Sequence, residues 1–299
     1  MAGEFDFIQW LNAQQRPDIR IRVPLGDDLA AVAWDAADLL VVGVDQVLDG
    51  RHFDAARHSP EQIGRKAMNR NLSDCAAMAA LPAFAVTTFA LPQSVSIDYA
   101  KSLYTGMRDA AAVFGCQIIG GDTGTWDGKL AVTVTILGRS AGVAPITRGG
   151  AAPGESLYVT GPLGGSIGGR HLSFTPRIAL ARELATRFRI TSMIDISDGL
   201  SRDLGHLCTQ SRCGAVVDAA AVPVHEDVRL LATSNGTPLE HALHDGEDHE
   251  LLFTSPDAIP ADLAMRIGQM TTGHERWLRD GDTLRPLEPL GWEHRLGNR

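Results

Sequence analysis

Cysteine is scarce in this chain. Cys75, Cys116, Cys208 and Cys213 are too few and too scattered over 299 residues for a disulfide framework. None forms the Cys-x-x-Cys of a zinc or redox site, so the protein is expected to work reduced, in the cytoplasm. Long apolar runs are also missing: Leu39–Val44 and Ala76–Leu81 fall far short of the ~18 residues that span a bilayer. Positive charge is the minority, 27 Lys and Arg against 36 Asp and Glu, and a net charge of −9 argues against nucleic acid and membrane surfaces as partners. The first residues, Met1-Ala2-Gly3-Glu4-Phe5-Asp6, carry acids where an export signal carries positive charge, so no export is expected. Gly-x-x-x-x-Gly-Lys-Ser/Thr, Gly-x-Gly-x-x-Gly and His-Glu-x-x-His are absent, which leaves P-loop, Rossmann and zincin readings without support.

What is present describes a globular chain, 44% hydrophobic, whose length at about 150 residues per domain suggests roughly two domains. Leu39–Val44, Phe84–Phe89, Gln117–Ile119 and the alternating Leu130–Leu137 read as strands. Between them, Ser59-Pro60 with Gln62 forms a capping box ahead of Ile63, Ala67, Met68, Leu72, Cys75, Ala76 and Ala79 at helical spacing. A second helix is expected from about Asp98 to Phe114. The loop with Pro145, Gly149, Gly150, Pro153 and Gly154 is the candidate domain boundary. Beyond it, a strand at Leu157–Thr160 leads into the glycine-rich stretch Gly161–Gly169. A helix start at Thr175-Pro176, a strand at Ser192–Ile196 and a helix from about Gly199 to Gln210 follow.

The aspartates stand beside glycines and strand ends: Gly26-Asp27-Asp28, Asp45, Gly120-Gly121-Asp122 and Asp195-Ile196-Ser197-Asp198-Gly199. Such positions suit oxygen ligands, because a strand end aims the carboxylate and a glycine admits metal or phosphate to the backbone. Each pair alone also reads as a turn or N-cap. Asn71-Leu72-Ser73-Asp74 places turn-loving polar residues inside an apolar-periodic helix, where they make either a ligand cluster or a solvated face. Gly164-Gly165-Ser166-Ile167-Gly168 matches the Gly-x-Ser-x-Gly nucleophile elbow of α/β-hydrolases. Pro162 separates it from its strand, and a phosphate-facing or mobile loop is the other reading.

Taken in order, these segments resemble the thiamine-monophosphate kinase family, in the superfamily of ATP-binding enzymes that includes aminoimidazole ribonucleotide synthetase. The resemblance runs nearly end to end. It is carried by Gly3-Glu4-Phe5, Gly26-Asp27-Asp28, Asp45, Gly50-Arg51-His52-Phe53 and Asn71-Leu72-Ser73-Asp74-Cys75-Ala76-Ala77-Met78 in the first part. It continues in Ile119-Gly120-Gly121-Asp122-Thr123, Thr147-Arg148, Ile194–Leu200, Asp203-Leu204-Gly205-His206 and Gly246-Glu247-Asp248-His249-Glu250-Leu251.

The resemblance implies an α+β protein of two α/β-type domains, residues 1–147 and 148–299. The N-terminal sheet would join its copy across a homodimer, and the C-terminal sheet would carry flanking helices. It implies ATP-dependent phosphorylation of thiamine monophosphate, with several Mg²⁺ ions held by Asp27, Asp45, Asp74, Asp122 and Asp195 and a further one by Asp198. Tyr104, Gly121, Asp122, Arg148 and Ser197 would meet ATP, and His52, Glu247 and Trp292 the thiamine phosphate. Two anionic substrates can approach among carboxylates only with divalent cations between them, and an ionised acceptor phosphate needs no general base. Gly43 and Val44 stand where the family usually has Ser/Thr side chains, so only their backbone oxygens could serve a metal. His249 stands where members usually have Tyr, and the segment after Gly169 is shorter than theirs. Another small-molecule kinase or synthetase of the superfamily, or an inactive nucleotide-binding dimer, are the alternatives.

Overall fold

The computed structural model describes residues 19, 21–23, 27–34, 38–231 and 236–293; Gly3-Glu4-Phe5 and Gly26 lie outside the described residues. The first half builds a six-stranded sheet from β1 (Ile21–Val23), β2 (Ala30–Ala33), β3 (Leu39–Leu48), β4 (Leu81–Pro92), β5 (Gln117–Trp126) and β6 (Ala131–Arg139). Its order is β1-β2-β3-β6-β4-β5, with α1 (Pro60–Ala77) and α2 (Ile97–Val113) on one face. All neighbours are antiparallel except β4 and β5, which α2 connects as a crossover. In β6 the period-two pattern is clean: Val132, Val134 and Ile136 are buried under the helices, while Thr133, Thr135 and Leu137 face the other way.

The capping box of α1 forms as its sequence predicts, Ser59 Oγ accepting the Gln62 N–H while Gln62 Oε1 accepts the Ser59 N–H. α1 and α2 touch through two glycines. A Cβ at Gly64 would stand 2.0 Å from the Leu103 carbonyl oxygen, and one at Gly106 2.1 Å from that of Glu61. Packed between the sheet, α2 and the second half, α1 buries Ile63, Met68, Leu72, Cys75 and Ala76 completely. Asn71 and Ser73 are buried too, which overturns the solvated-face reading of the 71–74 run.

The second half builds a seven-stranded sheet in the order β13-β12-β9-β11-β7-β10-β8. Its strands are β7 (Ser156–Val159), β8 (Ser192–Asp195), β9 (Gly214–Asp218), β10 (Leu251–Ser255), β11 (Met265–Thr271), β12 (Arg276–Asp280) and β13 (Thr283–Pro286). Helices α3 (Ile178–Arg187), α4 (Leu200–Ser211) and α5 (Pro238–His244) flank it. One core lies within this half, around Leu204, Leu207, Val217, Leu252 and Leu278. The other runs across both halves, joining Met68 and Leu72 to Ile178, Met193 and Phe253, so the two sheets are fixed to one another through α1.

Several boundaries differ from the sequence reading. β3 runs on to Leu48 because β6 pairs with it as far as Leu48↔Ala131, so Asp45 lies inside the strand instead of at its end. Gly120-Gly121-Asp122 likewise lies within β5, where β4 continues the pairing to Pro92↔Trp126. The Thr175-Pro176 start is displaced, with Arg177 as N-cap and Ile178 the first helical residue of α3. The four cysteines are free and buried, and no helix among the described residues is long and apolar enough to cross a membrane.

Candidate active site

Three chain segments bring carboxylates together between the sheets. Asp28 precedes β2, Asp74 stands in the last turn of α1 and Asp195 ends β8, and each offers an oxygen within 4.8 Å of the other two. The odd 71–74 run explains itself here. β2 stops pairing at Val42, leaving the Asp45 N–H of β3 without a strand partner, and Asn71 Oδ1 accepts it at 3.1 Å. Ser73 Oγ donates to Asp195 Oδ2 at 2.6 Å, and His249 Nδ1 lies 3.1 Å from the same oxygen. Arg148 grips both oxygens of Asp28 at 3.0 Å, and its N–H donates to Asp27 Oδ2 at 3.0 Å.

Burial works against the charge on each carboxylate of the cluster. Burial, then Asp45, Asp195 and Asp28, push the Asp74 carboxyl well above the usual range; burial also pushes Asp28 up to about 7 despite Arg148. Burial works against Asp195 as well, but His249 and Ser73 outweigh it and hold this carboxyl below its ordinary value. Hard oxygen donors repelling one another within 4.8 Å fit a divalent cation, which would relieve that repulsion. A second group, Asp198, Asp203 and His206, likewise brings one ligand atom from each residue within 4.8 Å of the others at the start of α4. Asp203 Oδ2 there accepts the N–H groups of Asp198 and Gly199 at 3.1 and 3.0 Å.

Beside the carboxylates lies a cationic corner. Buried Lys66 of α1 reaches the His52 carbonyl at 2.6 Å, His171 Nδ1 at 2.6 Å and Glu247 Oε2 at 2.9 Å. One turn on, Arg70 bridges Asp45 Oδ2 at 2.8 Å and Glu247 Oε1 at 3.1 Å. His249 Nε2 lies 3.4 Å from Glu247 Oε2, and Phe174 stacks on its ring at 4.0 Å. Burial pushes Glu247 up, but Arg70, Lys66 and His249 together hold it well below the carboxylate range, so it is an anion. Glu247 and His249 both adopt left-handed backbone, φ 56° and 52°, a cost of about 1–3 kcal/mol each that clusters at functional sites. The turn is braced from behind: a Cβ on Gly246 would meet Ser197 O at 2.5 Å, and Glu247 N–H donates to Ser197 O at 2.8 Å. His52 Nδ1 accepts the Leu48 N–H at 2.9 Å, so its neutral ring carries the proton on Nε2. Exposed Trp292 is tied in by its N–H to Asp198 O at 2.9 Å.

The structure thus gathers Asp27, Asp45, Asp74, Asp195, Arg148 and Ser197 on one side and His52, Glu247 and Trp292 near them. Gly43 faces the Asp28 turn, since a Cβ there would stand 3.5 Å from Asp28 O; the Val44 side chain points to the opposite face and is 61% exposed. Asp122 is not brought in. Asp45, Val134, Thr87 and Gly121 form one row across the sheet, and buried Val134 and Thr87 set its face toward the helices. Asp122, paired with Thr88 one residue on, points to the other face, three strands and about 14 Å from β3. Tyr104 is exposed on α2.

The glycine-rich stretch also differs from expectation. Ser166 is buried, and its Oγ donates to Glu247 O at 2.6 Å, so no exposed nucleophile exists there. Gly164 N–H donates to the Asp248 carboxylate, and Ser166 Oγ to Glu247 O, so the stretch props the Glu247 turn. The segment that follows lies over α1, with Asn69 Nδ2 donating to Phe174 O at 2.6 Å. Sequence reasoning missed Lys66, Arg70 and His171 as site residues, and it named Asp28, Asp203 and His206 only within longer motifs. The Asp27-Asp28 pair and the Asp203-Leu204-Gly205-His206 motif signalled those three; Lys66 and Arg70 sit in a helix whose apolar spacing gave no sign.

The AIR synthase related protein N-terminal domain matches residues 26–140 and the corresponding C-terminal domain residues 159–274, which defines the class. A thiamine-monophosphate kinase of Rhodopirellula baltica is 42% identical over 258 residues, covering 84% of this chain and 81% of its own. One from Escherichia coli K12 is 33% identical over 327 residues, covering 98% of both. A solved structure of AaThiL complexed with AMPPCP and TMP matches with a TM-score of 0.87 at 28% identity, over 98% of this chain and 97% of that one. The chain belongs to the thiamine-monophosphate kinase family.

Proposed function

We propose that the protein transfers the terminal phosphoryl group of ATP to thiamine monophosphate, giving thiamine diphosphate. The observation that carries this reading is the adjacency of two opposed sites: a carboxylate cluster fit for cation-bound polyphosphate, and a cationic corner around an ionised Glu247 fit for an acceptor bearing both a phosphate and a positive ring. Asp27, Asp28, Asp45, Asp74 and Asp195, with the Gly43 and Val44 carbonyls, would hold Mg²⁺, and Asp198 with Asp203 and His206 a further ion. Bound Mg²⁺ supplies the positive charge that lets two anionic phosphates meet.

The chain's own groups then do the positioning. Arg148 and Ser197 flank the nucleotide, and Asp28 keeps Arg148 aimed through two hydrogen bonds. His52 offers its Nε2–H to the acceptor phosphate, a donor fixed by the Leu48 bond on Nδ1. Glu247 faces the thiazolium cation, and Trp292 closes the acceptor side. The acceptor oxygen is already ionised, so alignment suffices and no general base is used.

The site is completed by a second copy of the chain. The outer face of the first sheet exposes Val44, Phe84 and Val86, and every residue from Ile119 to Trp126 of edge strand β5 is exposed. An apolar face beside a long open edge suits a two-fold sheet–sheet contact. That contact would bring Asp122, Gly121 and Tyr104 of one copy to the nucleotide of the other. The same reading divides each copy at residue 147/148 and, with its four free thiols, assigns it to the cytoplasm. The test is ³¹P NMR of protein, ATP, Mg²⁺ and thiamine monophosphate. Equimolar ADP and thiamine diphosphate are expected, and ADP with inorganic phosphate alone would refute the acceptor.

A further inference from the structure

We propose that Arg70 is a catalytic residue, its guanidinium holding the phosphoryl group in transit between nucleotide and acceptor; this rests on the kinase reading above. Lys66, Arg70 and Asp74 follow at four-residue spacing and form one stripe of α1, running from the acceptor corner to the carboxylate cluster. Arg70 stands in the middle. Its Nε holds Asp45, on the cation side, and its Nη1 holds Glu247, on the acceptor side. A group passing from one side to the other must cross the span that this guanidinium bridges, and the side chain is 15% exposed there.

The charge count favours a transferable grip over a purely structural pair. Glu247 is held by Arg70 at 3.1 Å but also by Lys66 at 2.9 Å, with His249 at 3.4 Å, so it keeps cationic partners when the guanidinium turns to a phosphoryl group. The other partner of Arg70, Asp45, is a carboxylate that a bound cation would engage. Arg70 then has a planar fork of donors and a shared anion, which matches a phosphoryl group whose charge is spread over three oxygens. In the step, the bond from the terminal phosphorus to the β,γ-bridging oxygen breaks and leaves its electron pair on ADP. A bond from a phosphate oxygen of the acceptor forms in its place, and no proton passes through the protein.

Two variants and two readouts test this. Arg70→Met should lower kcat at least ~100-fold while KM for ATP and for thiamine monophosphate each stay within about threefold. Arg70→Lys, which keeps the charge but not the fork, should fall at least ~10-fold. In melting experiments, Mg²⁺·ADP should stabilise wild type and Arg70→Met equally, whereas adding fluoroaluminate, a mimic of the transferring group, should raise Tm further only in wild type. An unchanged kcat in either variant overturns the proposal. So does a raised KM for thiamine monophosphate at constant kcat, or a retained fluoroaluminate increment in Arg70→Met. If Arg70→Met does not melt cooperatively, the same readouts on Arg70→Lys decide. Wild type that makes no thiamine diphosphate would retire the acceptor assignment, and the fluoroaluminate comparison would still decide on Arg70.

Discussion

Asp74 sits where three carboxylates repel one another, so its charge carries a cost that a bound cation would relieve. Asp74→Asn should therefore leave the ligand-free fold within about 1 kcal/mol of wild type, or slightly more stable, by urea denaturation. Activity should fall at least ~100-fold, and the Tm increment produced by Mg²⁺·ATP should largely disappear. Near-normal turnover with an intact increment would remove Asp74 from the site. On the acceptor side, Trp292→Ala should raise KM for thiamine phosphate far more than KM for ATP in steady-state kinetics. Equal effects would mean the ring only packs the chain end. Asp74 is legible in the sequence because its neighbours Asn71 and Ser73 are poor helix residues without a visible reason, and the reason is their bonds to β3 and β8. Arg70 is not legible, because an arginine in a helix ordinarily faces water and only the fold puts Asp45 and Glu247 at its tip.

At the scale of elements, α1 is the common part: it touches both sheets and carries Lys66, Arg70, Ser73 and Asp74. Its separation from α2 is set by glycine. Gly64→Ala would place a methyl 2.0 Å from the Leu103 carbonyl, so the helices must part, at about 1–3 kcal/mol measured by urea denaturation. No loss of stability would mean α2 moves freely on α1. The capping box and the alternation of β6 are readable from local pattern alone. The extent of β3 and β5 is not, because Asp45 and Gly120-Gly121-Asp122 look like turn chemistry until β6 and β4 pair with them. The strands after Gln210 likewise depend on pairing across distant sequence, as β9 does with β11 and β12.

At the scale of the whole molecule, the proposed site takes two copies. The exposed face of Val44, Phe84 and Val86 and the open β5 edge predict sedimentation at about twice 32.0 kDa in the micromolar range. The proposed shared site takes Asp74 from one copy and Asp122 from the other. Complementation tests this most directly, with thiamine diphosphate formation as the readout. Asp74→Asn and Asp122→Asn should each be nearly inactive alone. When the two chains are co-expressed and form mixed dimers, half the dimers should carry one site with both aspartates, restoring about a quarter of wild-type activity. A mixture that remains as inactive as its parents would contradict the shared site.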